Sequence, residues 1–571
     1  MKRTLTLLMA FAMIATMVAG CETPAPTATS GTLAPPTQGT EKPGDPEAQI
    51  DPFGAYEDTL DISIVQKIET VWTYPEGQDA TNNQYTQYLK DTLNVNITFD
   101  WVAQSGEPFE QKLSLAISSA SLPDIVIAPR ASFFRAMAKD GLLQDLEQTI
   151  ADYASPTMQK ILGSTNGLAL DYASYDGKVL ALPNVSPGDD DYHNLWIRQD
   201  WLDNLGLSAP KTIDDLEAVL DAFVNKDPDG NGKADTIGLG GQDKNLDPGL
   251  YTNFIFPSSN HFGLDAVFQA YKAYPGFWVK DAGGNVTYGS LQPETKEALA
   301  KLADWYQKGL IDKEIGVREN KVETITNGTC GIFSGVWWAG YWPLPDAQKA
   351  DPAASWVAYP GPFASDGQWY PGVGNPIREF GCVNKNFSNP EALIKINNLL
   401  LRDEQTFDIE AVEIGVFPLR LVYAPLDEST YSAQAILDYL NGTKNLDQIN
   451  TLGYKLLDND LKTARDIKLE PFDSFNIQYW NKDHENFNRL FSLLVGTAPQ
   501  MNTPYNAVSS LTYSHTESSE KYWASLWAKE QSVFLGIITG SRPIDDFDKF
   551  VAEWKAEGGD IIIAEVAASI Q

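Results

Sequence analysis

Apolar positions recur along the first part of the chain with two different spacings. Short apolar or alternating runs of the kind typical of β-strands occupy residues 61–65, 94–102 and 124–128. Between them, apolar positions three and four apart predict amphipathic helices over residues 81–93 and 108–120. We expect Thr81 or Asn82 to cap the first of these helices. Strands that alternate with helices in this way predict an α/β fold with a parallel sheet.

The helical pattern returns in later parts of the chain. Thr212 is the expected N-cap of a helix that runs to about residue 225. Further helices are predicted over residues 292–308, 389–402, 518–538 and 545–557. With 15 Trp, 24 Tyr and 25 Phe, the chain has enough large apolar side chains for two substantial lobes.

The N-terminus has the pattern of an export signal. Lys2 and Arg3 precede an apolar run over residues 5–19, and the run closes on Val18-Ala19-Gly20-Cys21. A cysteine directly after two small residues resembles the lipobox of bacterial lipoproteins. That resemblance implies that residues 1–20 are cleaved and that Cys21 carries a lipid anchor, with acyl chains such as palmitate. The alternative is an ordinary signal peptide or a membrane helix, but the run is shorter than the roughly 20 residues of a span.

The segment after the cysteine is expected to be a disordered tether. Residues 21–50 are rich in Pro, Thr, Ser, Gly and Glu and have almost no large apolar side chains. Such a composition cannot bury enough surface to offset the entropy of ordering the chain. The tether would connect the membrane anchor to a folded part that begins near residue 51.

The charge balance excludes one class of partner. The chain carries a formal net charge of −34, with 42 basic and 76 acidic residues. Nucleic acids and anionic membrane surfaces require a basic footprint, and none is visible in the sequence. Nucleic acid is therefore not an expected partner.

Cysteine and histidine are too sparse to support the fold by cross-links or zinc. Apart from Cys21, the chain contains Cys330 and Cys382, which either pair or remain as buried free thiols. The four histidines are scattered and have no zinc-ligand spacing with these cysteines.

Residues 225–239 have the spacing of a calcium loop. Oxygen-bearing side chains stand at loop positions 1, 3, 5 and 9, namely Asp227, Asp229, Asn231 and Asp235. Lys233 would add a backbone carbonyl at position 7, and Gly232 would provide the sharp bend at position 6. Gly238 replaces the glutamate that closes an EF-hand, so the prediction is a single structural Ca²⁺ ion in another fold. The alternative is a turn whose Asp and Asn side chains bond to their own backbone.

Further short segments give this order of elements a recognisable form. They are residues 122–125 (Leu-Pro-Asp-Ile), 175–178 (Tyr-Asp-Gly-Lys), 197–202 (Ile-Arg-Gln-Asp-Trp-Leu), 331–333 (Gly-Ile-Phe) and 545–550 (Asp-Asp-Phe-Asp-Lys-Phe). Together with the lipobox and the calcium loop, they resemble the extracellular solute-binding lipoproteins of carbohydrate ABC importers. That family includes maltose-binding and oligo-uronide-binding proteins, and the resemblance covers about residues 58–568.

The resemblance implies a two-lobed, periplasmic-binding-protein-like fold of type II, with a hinge between α/β lobes. Its N-lobe would comprise residues 51–190 and 380–495, and its C-lobe residues 191–379 and 496–571. By the same resemblance, the protein would be a monomer anchored at the extracytoplasmic face of the cell membrane. It would capture an oligosaccharide between the lobes and deliver it to ABC permease subunits, with calcium bound away from the sugar cleft.

A sugar cleft needs aromatic faces for the apolar side of a pyranose and polar groups for its hydroxyls. In related sugar binders, a stacking Trp follows the strand that matches residues 331–333, and polar contacts follow the N-lobe strand that ends at Ala128. The candidate ligand-binding residues are Arg130, Ser132, Trp337, Trp338, Tyr341, Trp342, Trp369 and Trp480. The alternative for each Trp is a place in the core, and for Arg130 a place on the surface.

An enzyme is the less favoured interpretation. Nucleophile elbows, phosphate-binding loops and zinc-protease motifs are missing from the sequence. A glycoside hydrolase needs two carboxylates that flank the sugar. Since the chain has 76 acidic residues, such pairs arise by chance and their presence is no evidence for hydrolysis. A ligand-sensing or adhesive surface lipoprotein without transport remains the second alternative, because the sequence does not distinguish it from an importer subunit.

Overall fold

The computed structural model describes residues 50–570, except 71, 189–190, 243, 245–248, 256–260, 409–410, 455 and 468–485. The predicted signal peptide, Cys21, the tether to residue 49 and Trp480 lie outside the described residues. In the described ranges, no helix is both long and apolar enough to cross a membrane.

Fifteen strands occur in the described part of the chain. They are β1 Leu60–Ile68, β2 Val95–Gln104, β3 Ile125–Ala128, β4 Ser174–Tyr175, β5 Lys178–Val179, β6 Leu182–Pro183, β7 Asn194–Arg198, β8 Ile237–Gly240, β9 Trp278–Lys280, β10 Val286–Tyr288, β11 Cys330–Gly335, β12 Trp356–Tyr359, β13 Gly372–Val373, β14 Phe380–Val383 and β15 Val508–Ser509.

Twenty α-helices accompany these strands over the same ranges. They are α1 Gln84–Leu93, α2 Glu107–Ser118, α3 Ala131–Lys139, α4 Glu147–Tyr153, α5 Pro156–Ser164, α6 Leu168–Tyr172, α7 Gln199–Leu205, α8 Ile213–Asn225, α9 Asp265–Ala270, α10 Pro293–Lys308, α11 Glu323–Thr326, α12 Leu344–Ala350, α13 Glu391–Asp403, α14 Glu428–Leu440, α15 Leu457–Asp466, α16 Phe487–Phe491, α17 Ala498–Asn502, α18 Glu517–Ile538, α19 Asp546–Trp554 and α20 Asp560–Ser569.

Two mixed sheets organise the fold. The first has the order β2-β1-β3-β14-β6, in which β1 pairs parallel with β2 and β3, while β14 runs antiparallel. The second has the order β12-β7-β11-β8, and only its β11–β8 pair is parallel. The prediction of an α/β fold is confirmed, although each sheet also contains antiparallel strands.

The two predicted helix caps have different outcomes. Thr212 caps α8 as predicted: its hydroxyl accepts from Asp215 N at 3.2 Å, and the Asp215 carboxylate accepts from Thr212 N at 3.0 Å. The prediction that Thr81 or Asn82 caps α1 is wrong, because Asn83 holds that position. The reason lies one turn earlier, where Asp79 accepts from the backbone N–H groups of residues 81 and 82 and folds them into a preceding turn.

The first sheet forms the centre of one hydrophobic core. Buried residues of β1 and β3, among them Ile62, Ile64 and Ile125, pack with helices from residues 85–162 and 392–400. Because strands buried on both faces must be apolar throughout, the run Ile125–Ala128 carries no charged side chain. This core defines the first lobe.

The second sheet has a separate core on each face. Along β7, Leu195 and Ile197 point into one cluster with α8, α10 and α18, while Trp196 points into the other. In β11, Ile332 packs in the same cluster as Leu195 and Ile197, and Phe333 packs in the cluster that contains Trp196. The second lobe is thus a sheet between two helical layers.

The segment after residue 426 packs on the second lobe. Its buried side chains, from Ala433 to Val495, share a cluster with Trp196, Phe333 and Trp356 of the second sheet. The expected N-lobe segment 380–495 therefore divides between the lobes, since its earlier part, including β14 and α13, packs on the first sheet. Residues 372–373 and 508–509 form a short parallel pair.

The two remaining cysteines do not bond to each other. Cys330 on β11 and Cys382 on β14 are free and buried, and they belong to different sheets. Burial raises the pKa of the Cys330 thiol to about 12, so it stays protonated and unreactive at neutral pH.

Candidate functional site

A groove lies between the two lobes. It contains two cavities, each of about 820 Å³, which share the lining residues Ser132, Ala136, His515 and Glu520. Each cavity lies in the upper part of the roughly 300–1,000 Å³ range of small-molecule sites. The groove as a whole is therefore large enough for an extended ligand.

The wall contributed by the first lobe begins where β3 ends. Arg130 follows this strand as the N-cap residue of α3, and Ser132 lies in the first turn of that helix. Arg130 forms an ion pair with Glu110 of α2, and its guanidinium lies 5.2 Å from the Phe133 ring centroid. The end of a parallel strand thus presents polar side chains to the groove, as ligand sites of α/β sheets do.

The opposite wall is the N-terminal half of α18. Thr516 caps this helix in a capping box with Ser519, which fixes the point at which the helix enters the groove. One and two turns later, Trp523 and Trp527 stack with ring centroids 6.4 Å apart and an interplanar angle of 14°. Both indoles line the second cavity, but Trp523 is only 7% exposed, whereas Trp527 is half-buried. The aromatic surface of this wall is therefore mainly that of Trp527.

His515 joins this wall as a neutral side chain. Its Nδ1 lies 2.9 Å from Ser519 Oγ, and its ring packs against Phe254 and Trp523. Burial, with a smaller contribution from the charge of Arg130, lowers the pKa of His515 to about 4. The imidazole is therefore uncharged at neutral pH.

The lobes touch each other at the edge of the groove. Arg135 Nη2 of α3 donates to Ser514 Oγ at 3.1 Å, and Tyr513 N donates to the Tyr172 hydroxyl at 2.9 Å. These contacts join the first lobe to the segment that leads into α18. A change in the angle between the lobes would therefore move the Trp wall relative to α3.

Of the ligand residues predicted from the sequence, some line the groove and others lie away from it. Arg130 and Ser132 line the groove. Trp337 and Trp369 are only 6% and 1% exposed, and they belong to the interior. Trp338, Tyr341 and Trp342 are more exposed, but among the described residues they do not line either cavity.

Specific contacts explain where these aromatic residues lie. Gly496 approaches Trp337 so closely that a Cβ at residue 496 would lie 2.0 Å from the Trp337 carbonyl oxygen. Trp338 packs edge-on against His261 with ring centroids 4.0 Å apart, and Trp342 packs against Phe262. Tyr341 accepts a hydrogen bond from Arg489 Nη1 at 2.8 Å. Trp337 and Trp338 thus pack in the core that contains Trp196, while Tyr341 and Trp342 lie at the surface next to it.

Glu520, Trp523 and Trp527 of α18 line the groove but are not among the ligand residues predicted from the sequence, although the helix itself is. Their spacing in the sequence indicates that they lie together, because residues three and four apart share one helix face. A face with two large indoles next to a carboxylate is a good candidate for a sugar-binding surface.

The predicted calcium loop is exposed and lies between α8 and β8. Asn231 Nδ2 donates to Asp229 Oδ2 at 2.7 Å and to Asp235 Oδ1 at 3.1 Å, and Gly232 N donates to Asp227 Oδ2 at 3.1 Å. The Asp229, Asn231 and Asp235 side chains are thus joined by hydrogen bonds, and Asp227 bonds to the backbone of the same loop. Desolvation, reinforced by Asp227 and Asp235, raises the pKa of Asp229.

The donor set of this loop fits calcium. Carboxylates, an amide oxygen and a carbonyl are the hard oxygen ligands that this ion prefers. In the described part of the chain, no three or more His, Cys, Asp or Glu side chains are close enough to hold a metal. If Ca²⁺ binds to this loop, Asp227, Asp229, Asn231 and Asp235 are the residues whose side-chain oxygens would hold it.

Two lobes that enclose a groove with one polar and one aromatic wall define a bilobed solute-binding protein. The sequence profile of the bacterial extracellular solute-binding proteins matches residues 83–396, more than half of the chain. The chain belongs to this family.

Individual relatives match over shorter segments. The fructooligosaccharide ABC transporter substrate-binding protein FusA of Streptococcus pneumoniae serotype 4 is 32% identical over 253 residues, which cover 42% of this chain and 43% of FusA. The polygalacturonan/rhamnogalacturonan-binding protein YtcQ of Bacillus subtilis is 27% identical over 263 residues, covering 45% and 47%. The aligned part of the chain thus spans less than half the length of these relatives.

The fold agrees over nearly the whole length. A structure of an S. pneumoniae FusA EF-hand mutant in complex with fructo-nystose superposes with a TM-score of 0.53 at 18% identity, covering 89% of this chain and 98% of that one. The two-lobed architecture is therefore shared, and the name of that structure refers to an EF-hand in a related protein.

Proposed function

We propose that this protein captures an oligosaccharide in the groove between its lobes and delivers it to the permease of an ABC transporter. The observation that carries the proposal is the groove itself, with Arg130 and Ser132 on one wall and Trp523 and Trp527 on the other. The related FusA and YtcQ, whose names state carbohydrate ligands, support it. The chain acts by binding and release and makes or breaks no bond.

The two walls suit the two kinds of surface on a sugar. The C–H face of a pyranose packs on an indole, and the ring hydroxyls exchange hydrogen bonds with charged and hydroxyl side chains. Closure of the lobes about the hinge between them brings the walls together and excludes water from these bonds. A closed, liganded monomer is the form that docks on the permease.

Anchoring and calcium complete the proposal. Cys21 carries the lipid that holds the protein at the extracytoplasmic face of the membrane, and residues 22–50 form the tether. The loop residues Asp227, Asp229, Asn231, Lys233 and Asp235 hold a structural Ca²⁺ ion. Thr236 attaches the loop to the end of α8, because its hydroxyl donates to Phe223 O at 2.7 Å. Phe223 belongs to the core that α8, α10 and α18 form on one face of the second sheet.

A thermal-shift screen of the purified protein tests the binding function. The panel contains neutral and acidic oligosaccharides, each with calcium and with chelator. A ligand that binds only the native state adds about 2.7 kcal/mol of stability at a hundredfold excess over its dissociation constant. We expect a rise in melting temperature with at least one glycan that is recovered chemically intact. If no glycan shifts a protein that still responds to calcium, the proposal is wrong.

Trp527→Ala should weaken glycan binding at least tenfold. The change removes the aromatic face that the half-buried indole presents to the groove, and a tenfold loss corresponds to about 1.4 kcal/mol. Trp527→Phe should retain part of the affinity. Isothermal titration of both variants, at a temperature where each is folded, measures the loss.

Trp342→Ala is the matched control for this experiment. Its indole is 38% exposed but lies outside both cavities, so we expect its affinity to stay within twofold of the wild type. A large loss for Trp342→Ala with no loss for Trp527→Ala would place the ligand near residues 337–342 instead.

Asp227→Ala should abolish the stabilisation by calcium and leave glycan affinity nearly unchanged. The substitution removes the carboxylate at loop position 1, and the loop does not line either cavity among the described residues. Melting curves with calcium and with chelator provide the measurement. Asp221→Ala, an exposed aspartate of α8 outside the loop, should keep the calcium response. A variant that lost glycan binding but melted like the wild type would contradict a structural role.

A further inference from the structure

The ionisable groups that line the groove are not evenly balanced. Three permanent cations face the two cavities: Arg130, Arg135 and Lys139. His515 adds no charge at neutral pH, because burial lowers its pKa to about 4. One of the cations is already compensated, since Arg130 is paired with Glu110.

Carboxylates outnumber these cations. Five of them line the same cavities: Asp140, Asp171, Glu517, Glu520 and Glu565. Glu565 is held in place by Ser518, whose N–H and hydroxyl donate to it at 3.0 and 2.7 Å. The charged side chains that line the groove thus sum to a negative charge, as does the whole chain with its net charge of −34.

Glu520 has the central position in this arrangement. It lines both cavities, and it lies on the helix face that carries Trp523 and Trp527. Across the groove it interacts with the charges of Arg130 and Arg135, which oppose the rise in its pKa caused by desolvation. Any ligand long enough to fill both cavities must therefore pass this carboxylate.

We propose that the groove selects neutral oligosaccharides over uronic-acid glycans, and that Glu520 sets this preference. The proposal rests on the proposed function and names the ligand class of the same site. A sugar hydroxyl donates as well as accepts, so a neutral glycan can give a hydrogen bond to Glu520 and take one from Arg135. A uronate carboxylate only accepts, and next to Glu520 it would place two like charges in a partly desolvated groove.

Isothermal titration of the purified protein with two sets of probes tests the proposal. One set contains fructo-, malto- and galacto-oligosaccharides, and the other contains oligogalacturonates and alginate oligosaccharides of matched length. We expect at least one neutral probe to bind at least tenfold more tightly than every acidic probe. Glu520→Gln should reduce the ratio of neutral to acidic affinity at least fivefold, because it removes the repelling charge and keeps the shape of the side chain.

Glu553→Gln is the charge-matched control. This glutamate lies on α19, is 59% exposed and pairs with Lys529, so its loss changes the net charge equally but outside the groove. Its ratio of neutral to acidic affinity should equal that of the wild type. An equal gain of acidic binding in both variants would show that the global charge, not Glu520, sets the preference.

The remaining outcomes separate the two proposals. An acidic probe that binds as tightly as the best neutral probe overturns the selectivity and leaves the binding function intact. A neutral preference that Glu520→Gln does not change overturns the role of this residue. No binding of any probe overturns the proposed function and the selectivity with it.

Discussion

Replacing Arg489 with methionine should lower the free energy of unfolding by about 3–5 kcal/mol, because it leaves a buried carboxylate without its partner. Arg489 Nε of α16 donates to Asp460 Oδ1 of α15 at 2.6 Å, and the two side chains are 16% and 3% exposed. Burial raises the pKa of Asp460, and the charge and the hydrogen bond of Arg489 oppose that rise. Urea unfolding followed by tryptophan fluorescence measures the loss.

Two further variants make this prediction specific. The double variant Asp460→Leu/Arg489→Met should recover most of the stability, since apolar side chains can replace both members of a buried pair. Arg465→Met breaks the exposed pair between Arg465 and Asp466, also on α15, and should cost less than about 1 kcal/mol. Equal losses for Arg465→Met and Arg489→Met would show that burial does not determine the strength of these pairs.

The location of this pair explains why it could not be predicted from the sequence. Asp460 and Arg489 lie in the segment that the family resemblance placed in the N-lobe, whereas the structure packs it on the second sheet. No local pattern in residues 433–495 indicates which of two sheets a set of amphipathic helices will cover. The choice depends on distant partners, such as the approach of Gly496 to the Trp337 backbone.

Most of the secondary structure, in contrast, follows from local pattern. The apolar run of β3 and the alternation in β2 predict strands because both require burial of particular faces. Thr212 and Asp215 predict the start of α8, since a capping box is a local device. The start of α1 was misplaced because Asp79 competes for the backbone donors of the neighbouring turn, a choice that residue type alone does not decide.

The candidate site was predictable on one wall only. Arg130 could be identified because ligands of α/β sheets bind at strand ends, and Ser132 because the family resemblance places polar sugar contacts after the same strand. The aromatic residues predicted from the sequence are Trp337, Trp338, Tyr341, Trp342, Trp369 and Trp480. Trp480 lies outside the described residues and the other five do not line either cavity, whereas Trp523 and Trp527 do. Choosing between tryptophans requires knowing which ones the core buries, and that is a property of the assembled fold.

The aromatic wall rests on a buried carboxylic acid that makes stability depend on pH. Glu530 of α18 is fully buried, and its Oε1 accepts from the hydroxyls of Ser290 at 2.6 Å, of Tyr288 at 3.3 Å and of Tyr251. Tyr251 also packs edge-on against Trp527 with ring centroids 5.7 Å apart. The acid therefore lies directly behind the groove, one turn beyond Trp527.

Glu530→Gln should remove a pH dependence of the free energy of unfolding on the order of 3 kcal/mol. Burial raises the pKa of Glu530 from 4.5 to about 7, although the hydroxyl donors act in the opposite direction. Between these two values the native state binds more protons than the unfolded state, so this group makes stability fall as pH rises. Glutamine keeps the acceptor oxygen and has no charge to bury.

Urea unfolding of both proteins at intervals from pH 5 to pH 8 provides the measurement. At pH 5 the wild type and Glu530→Gln should be similarly stable. By pH 8 the variant should be more stable by most of the roughly 3 kcal/mol. The low pKa of His515 makes both proteins lose stability as pH falls from about 6.5 to 4, and this contribution cancels in the difference. Glu557→Gln, an exposed partner of Lys529, should show the same pH dependence as the wild type. A constant difference between Glu530→Gln and the wild type would mean that Glu530 is ionised throughout this range, and that its three hydroxyl donors outweigh the cost of burying its charge.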